Sequence, residues 1–192
     1  MWHNRWTEKP SYEEALALTG LMKTLAAFNP RVAGTPPLGL DLPSSDIDIL
    51  CHARDATALA TALWTMGADW EDFTLHQWRR APRPIIARFR AHGWAFEVFG
   101  SPEPVEMQAG WRHFMVEARL LSLGGPALRA AVMAARLDGL KTEPAFAQVL
   151  KLRGDPYAAL LLLAAAPEDR LSALVAAAGF IPASRGLLTG GR

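Results

Sequence analysis

A single cysteine in 192 residues excludes an internal disulfide framework and any cysteine-rich zinc site. That residue, Cys51, ends an apolar stretch, the place of an ordinary buried thiol in a reducing cytoplasm. No long run of Lys or Arg appears and the formal net charge is +1, so composition gives no special reason to expect nucleic acid or an acidic membrane surface. Any phosphate recognition must then be local. Met1-Trp2-His3-Asn4-Arg5-Trp6 lacks an apolar core of signal-peptide length, and the longest apolar run, Ala158 to Ala166, is too short to span a bilayer. These absences predict a soluble, cytoplasmic chain with no membrane partner. No internal repeat, low-complexity segment or histidine cluster with metal-ligand spacing is present.

With 51% hydrophobic and 20% charged residues, the chain supports one substantial core, or a core with a helical annex. Ser11 to Phe28 reads as one helix, capped by Ser11, with Glu13 and Glu14 at its positive end and Asn29-Pro30 stopping it. Arg31 to Thr35 reads as a short strand ending in a turn, and Pro36 to Pro43 carries too many Pro and Gly residues for regular structure. A strand from Asp46 and a helix from Asp55 to Gly67 follow. Between Phe73 and Gly100 the chain turns β-like. Ile85 to Ala91 and Trp94 to Phe99 flank His92-Gly93, a two-residue hairpin turn whose register sets Ala91 opposite Trp94, Arg90 opposite Ala95 and Arg88 opposite Glu97. Beyond Gly100 the pattern is helical, over Val105–Leu123, Pro126–Leu137, Thr142–Lys151, Asp155–Ala165 and Pro167–Ala178.

The chemistry concentrates in Ser44-Ser45-Asp46-Ile47-Asp48-Ile49-Leu50-Cys51. Strand side chains alternate, so Asp46 and Asp48 share one face while Ile47, Ile49 and Cys51 fill the other. Two like charges buried side by side call for a cation between them. Glu97, a carboxylate in an aromatic strand, is either the cross-strand partner of Arg88 or a third metal ligand or general base. Three carboxylates suit a hard cation, Mg²⁺ or Mn²⁺, that keeps its remaining positions for water or phosphate oxygens, which points to phosphoryl or nucleotidyl transfer. Gly34-Thr35 would bring backbone N–H groups and a hydroxyl to phosphate, or form an ordinary tight turn.

Gly34-Thr35, Ser45-Asp46-Ile47-Asp48 and Glu97 together resemble, in order and roughly in spacing, the DNA polymerase beta-like nucleotidyltransferase superfamily. Its pattern is a strand ending in Gly-Ser, a loop of about ten residues, Asp-x-Asp after a Ser, and a later carboxylate. The resemblance covers residues 12 to about 125. Farther on, Gly139-Leu140-Lys141-Thr142-Glu143-Pro144-Ala145-Phe146 and Gly154-Asp155-Pro156-Tyr157 resemble an uncharacterised bacterial branch known only as a domain of unknown function. The resemblance implies an α/β (α+β) fold with a small mixed β-sheet flanked by helices. It implies a nucleotidyltransferase-like core over residues 1–125, with residues 126–192 a helical extension packed on it. It further implies Mg²⁺ or Mn²⁺ held by Asp46, Asp48 and Glu97, a nucleoside triphosphate, and an acceptor that is a small molecule, a protein or RNA. Thr35 keeps the hydroxyl of the usual Ser, whereas Pro36-Pro37 stiffens a loop that in the family is more polar.

Arg112, His113, Glu117 and Arg119 recur at helical spacing, as a cleft-lining stripe or a solvated face. Arg112, His113 and Lys141 are the cations assigned to the nucleotide, with Gly34, Thr35 and Ser45 on its phosphate side; Lys141 is alternatively a helix-end cap. His52 falls on the Asp46 face, His92 belongs to the turn, Asp41 suits an Asx turn, and Trp64, Trp70, Trp78, Trp94 and Trp111 suit packing more than base stacking. The leading expectation is transfer of a nucleoside monophosphate from an NTP to a hydroxyl. A catalytically idle binding or antitoxin-like module and a metal-dependent phosphohydrolase are the alternatives.

Overall fold

The computed structural model describes residues 9–67 and 70–180. The chain divides into two compact units, residues 1–112 and 113–192. In the first, Ser11 caps helix α1 (Tyr12–Thr19) through a reciprocal box: Glu14 N–H donates to Ser11 Oγ at 3.2 Å and Ser11 N–H donates to Glu14 Oε2 at 2.9 Å. The single helix expected to Phe28 is interrupted at Gly20, whose φ of +67° is a left-handed conformation cheap only for glycine. Helix α2 (Leu21–Thr24) and a 3₁₀ turn at Ala26–Phe28 complete the segment.

Strands β1 (Arg31–Ala33), β2 (Asp46–His52), β3 (Glu71–Gln77), β4 (Ile85–Ala91) and β5 (Trp94–Ser101) form one sheet in the order β1-β2-β5-β4-β3. Only β2 and β5 run parallel; the other three pairings are antiparallel, which makes the sheet mixed. The β4–β5 hairpin has the register read from the sequence, Ala91 opposite Trp94 and Arg88 opposite Glu97. His92 and Gly93 both take positive φ, as a primed hairpin turn requires. Strand β3 begins two residues before the β-like segment expected from Phe73, and a bulge lies between Glu71 and Thr74.

One face of the sheet carries Ile47, Ile49, Cys51, Phe89, Phe96 and Val98 into a core closed by Leu16, Leu21 and Leu25 and by Leu59 and Leu63 of helix α3 (Ala56–Gly67). Phe89 and Phe96 stack at 5.1 Å and Trp70 lies 4.3 Å from Phe89. Each such side chain, fully buried, contributes roughly 1.5–3 kcal/mol, so this face holds most of the core, while the opposite face buries Leu50 and Ile86 and carries the acidic side chains.

Helix α4 (Ala109–Leu137) starts four residues later than expected, because Val105–Met107 forms a 3₁₀ turn and Gln108 is extended. The buried Gln108 amide explains the delay: it donates to Cys51 O at 3.0 Å and Glu103 O at 2.9 Å, tying the end of β2 to this turn. The expected break at Gly124-Gly125 is present as a kink at Gly125 (φ 60°, ψ −157°) before Pro126. Among the described residues α4 is the one helix with the length and hydropathy of a membrane span, yet it buries His113, Glu117 and Arg136. Helices α5 (Thr142–Val149), α6 (Pro156–Ala164, capped by Asp155) and α7 (Glu168–Ala177) complete the second unit, whose buried side chains include Leu120, Val132, Phe146, Leu160, Leu171 and Val175.

Candidate active site

Alternation along β2 sends Ile47, Ile49 and Cys51 into the core and Asp46 and Asp48 to the other face. The parallel register sets Asp48 beside Glu97 and Asp46 beside Ala95, so the three carboxylates share that face. Their burial differs from the sequence expectation. Asp46 is exposed and Asp48 and Glu97 are half-buried, so water screens the β2 pair and its repulsion falls to about 0.6 kcal/mol at the ~7 Å spacing of alternate strand residues. A cation is therefore not needed to keep Asp46 and Asp48 in place.

Glu97 is committed to Arg88. The guanidinium Nε and one terminal nitrogen both donate to Glu97 Oε2, at 2.7 and 2.5 Å. Of the two readings of Glu97, the structure shows the ion pair. No group of three or more His, Cys, Asp or Glu side chains is gathered around a common point among the described residues. The donor set nevertheless has hard-cation chemistry: Asp46 and Asp48 offer carboxylate oxygens on one accessible face, which fits Mg²⁺ or Mn²⁺, and Glu97 fits only when Arg88 releases it.

Gly34 follows β1 at φ +78°, and a Cβ there would run into the Asp48 carboxylate. Backbone thus approaches the acid directly, which only glycine permits. The following loop is more ordered than its composition predicts. Pro36–Leu38 forms a 3₁₀ turn in which Thr35 O accepts from the N–H groups of Leu38 and Leu40, both at 3.1 Å. The Thr35 hydroxyl donates to Ser45 Oγ at 3.1 Å, and Ser45 Oγ also accepts from Leu42 N–H at 2.9 Å. Thr35 and Ser45 hold the loop together, and no Lys or Arg lies between Gly34 and Ser45.

The remaining residues assigned to the nucleotide are placed differently. Arg112 is half-buried in the first turn of α4. His113 is buried in the second unit, with Nε2 3.0 Å from Tyr157 O and Nδ1 3.5 Å from Glu143 Oε1. Glu117 is only 5% exposed and its Oε1 has no hydrogen-bond partner among the described residues. Burial first, then the Glu143 charge, push its carboxyl well above the usual range, against the pull of Arg136. Arg119 donates to Ala166 O at 2.8 Å and closes the end of α6. The stripe is therefore no solvated face: His113, Glu117 and Arg119 are used inside the second unit. Lys141 is exposed at the N-cap position of α5, where it makes no side-chain cap and where a cation opposes the helix dipole.

His52 accepts from Arg54 Nε at 3.4 Å, and Trp94 donates its indole N–H to Pro10 O at 2.8 Å. Trp64 and Trp78 are exposed but each meets one phenylalanine edge-on, Phe73 and Phe99 respectively. Sequence reasoning passed over a further cluster, Trp78, Arg79, Arg80 and Arg83. Its signal was the complete lack of Asp and Glu from Trp78 to Phe96, a stretch holding Arg79, Arg80, Arg83, Arg88 and Arg90.

Among solved structures, the chain resembles the Cid1 poly(U) polymerase bound to MgGTP, with a TM-score of 0.50, 15% identity, and coverage of 66% of this chain and 40% of that one. It resembles the GLD-2/RNP-8 complex at a TM-score of 0.50 and 13% identity, covering 71% of this chain and 56% of that one. The chain spans less than two thirds of either neighbour, and at these identities the likeness shows the fold alone, a mixed five-stranded sheet flanked by helices. No curated protein matches the chain significantly. A family model described as a domain of unknown function, DUF4269, matches residues 14–163.

Proposed function

The chain belongs to the DUF4269 family, and on that premise we propose that it is a divalent-metal-dependent nucleotidyltransferase, moving a nucleoside monophosphate from an NTP to a hydroxyl acceptor. The observation that carries this reading is the β2–β5 register, which sets Asp48 beside Glu97 with Asp46 on the same face and the Gly34 backbone against Asp48. Asp46 and Asp48 would hold Mg²⁺ or Mn²⁺, with Glu97 joining once Arg88 swings away. A bound divalent cation neutralises triphosphate charge and favours the ionised acceptor hydroxyl. Gly34 lets phosphate oxygens approach bare backbone, while Thr35 and Ser45 keep the loop in shape for them. Arg112 is the proposed phosphate-side cation. His113, with both ring nitrogens occupied inside the second unit, is not. In the reaction the acceptor oxygen bonds to the α-phosphorus, the α–β bridging P–O bond breaks, pyrophosphate leaves and the hydroxyl proton passes to Glu97 or solvent.

Calorimetric titration with Mg²⁺ and an NTP mixture tests this reading. Metal-dependent binding that disappears in Asp46→Asn/Asp48→Asn is expected; equal behaviour of the two proteins removes the proposal. The Arg88–Glu97 ion pair favours a second reading, a catalytically idle fold serving as a binding or antitoxin-like interaction module. Co-purification with a stoichiometric protein partner, together with no pyrophosphate release from any NTP, would select it.

A further inference from the structure

The β3–β4 connection is a built basic loop on the carboxylate-bearing side of the sheet. Trp78 N–H donates to Pro84 O at 3.0 Å, Arg83 N–H donates to Arg80 O at 2.8 Å, and the Gln77 amide donates to Arg83 O at 3.0 Å. These bonds close the backbone and leave the side chains of Arg79, Arg80 and Arg83 outside. All three residues are exposed, and among the described residues none has a carboxylate within ion-pair distance. Trp78 is 51% exposed and stands edge-on to Phe99, with ring centroids 6.5 Å apart. Phe99 lies two residues after Glu97 on the same face of β5, so this aromatic sits about 7 Å along the strand from the Asp48–Glu97 row and about 13 Å from that of Asp46. Arg90, exposed on β4, shares that face.

Three cations with no carboxylate partner among the described residues stand beside a half-open indole on one hydrogen-bonded hairpin, and water solvates the cations readily but not the indole face. Their chemistry is complementary to a ligand that repeats anionic groups and flat π-faces together. We propose that the Trp78–Arg83 hairpin is a docking surface for single-stranded nucleic acid, with Trp78 stacking on a base and Arg79, Arg80 and Arg83 contacting successive phosphates. A single strand is specified because its bases are free to stack on an aromatic, whereas those of a duplex are already stacked. An acidic protein offers carboxylates but no regular alternation of anion and flat ring along its chain. Naming the bound strand as the acceptor rests on the transferase reading; the binding itself does not.

The test uses the full chain in EDTA without NTP, titrating labelled mixed-sequence single strands of about 15 nucleotides, a length spanning one such site, and reading anisotropy and tryptophan fluorescence. Binding should weaken with salt at a log–log slope of about −2 for three phosphate contacts, and tryptophan emission should be quenched. Arg79→Ala/Arg80→Ala/Arg83→Ala should flatten that slope, and Trp78→Ala should weaken binding about tenfold or more at unchanged slope. Circular dichroism confirms that both variants fold. Equal binding by wild type and both variants overturns the proposal. So does equal affinity for poly-glutamate with no effect of Trp78→Ala, which would mark an acidic-protein surface. Because neither metal nor NTP is present, loss of the transferase reading leaves this result standing. Conversely, intact transfer to a small hydroxyl with no strand binding would remove this proposal alone.

Discussion

Arg88 sets how much of Glu97 a cation can reach. Both guanidinium contacts fall on one carboxylate oxygen, so removing the side chain frees a ligand and takes a positive charge out of the site. At about 5 Å in water that charge opposes a divalent ion by ~1.7 kcal/mol. Arg88→Ala is therefore expected to tighten Mn²⁺ binding about tenfold by calorimetry, and an unchanged affinity would show that Glu97 takes no part. The Arg88 side chain is 56% exposed, so its pair with Glu97 contributes little to folding, and the melting temperature should barely move. Gly34 works through geometry instead. Gly34→Ala forces a side chain into a positive-φ position and against Asp48, at a cost of about 1–3 kcal/mol. Gly20→Ala meets the same φ penalty with nothing within 4 Å. The excess loss of thermal stability at Gly34 over Gly20 measures the contact with the acid; equal losses would mean that Asp48 simply moves aside.

Between elements, Glu117 of α4 faces Glu143 of α5, with Arg136 opposing and His113 four residues before it. Its native carboxyl titrates above its unfolded value of about 4.3. As pH rises from there, the unfolded chain gives up its proton first, so stability present at low pH is lost until the native group ionises, at about 1.4 kcal/mol per pH unit. Glu117→Gln should remove that decline. Urea denaturation of both proteins across this pH range reads the difference, and parallel pH profiles would mean that the carboxylate ionises in place. The same helices show where sequence stops informing. The β4–β5 register was legible because alternating side chains and a His-Gly turn leave one pairing. The capping of α1 and α3 was legible because Ser11 and Asp55 act on neighbouring backbone. The break at Gly20 was not, since a lone glycine is tolerated inside a periodic stretch and only packing decides. Nor was the start of β3, whose Glu71 and Asp72 look like loop on an edge strand. His113 and Glu117 read as solvated because nothing local reveals that α5 and Tyr157 close over them.

At the scale of the whole molecule, a net charge of +1 conceals an uneven distribution. Asp46, Asp48 and Glu97 lie on β2 and β5 and Glu71 and Asp72 open β3, while five arginines fall between Trp78 and Phe96 in and beside the β3–β4 connection. Function assigned to the acidic side chains should accordingly be separable from folding, because the aromatic core lies on the other face and Asp46, Asp48 and Glu97 are exposed or half-buried. Asp46→Asn/Asp48→Asn keeps side-chain size at two positions that are exposed or half-buried, so the variant should still fold and unfold cooperatively. Ligand linkage then distinguishes the proteins. An NTP with Mg²⁺ at a hundredfold excess over its dissociation constant stabilises the native state by about 2.7 kcal/mol, which for a chain of this length raises the melting temperature by about 5–11 °C. Wild type should show that rise in differential scanning calorimetry and the double variant should not. An equal rise in both would place the nucleotide away from β2, and the acidic strand would then serve the fold's shape without serving its chemistry.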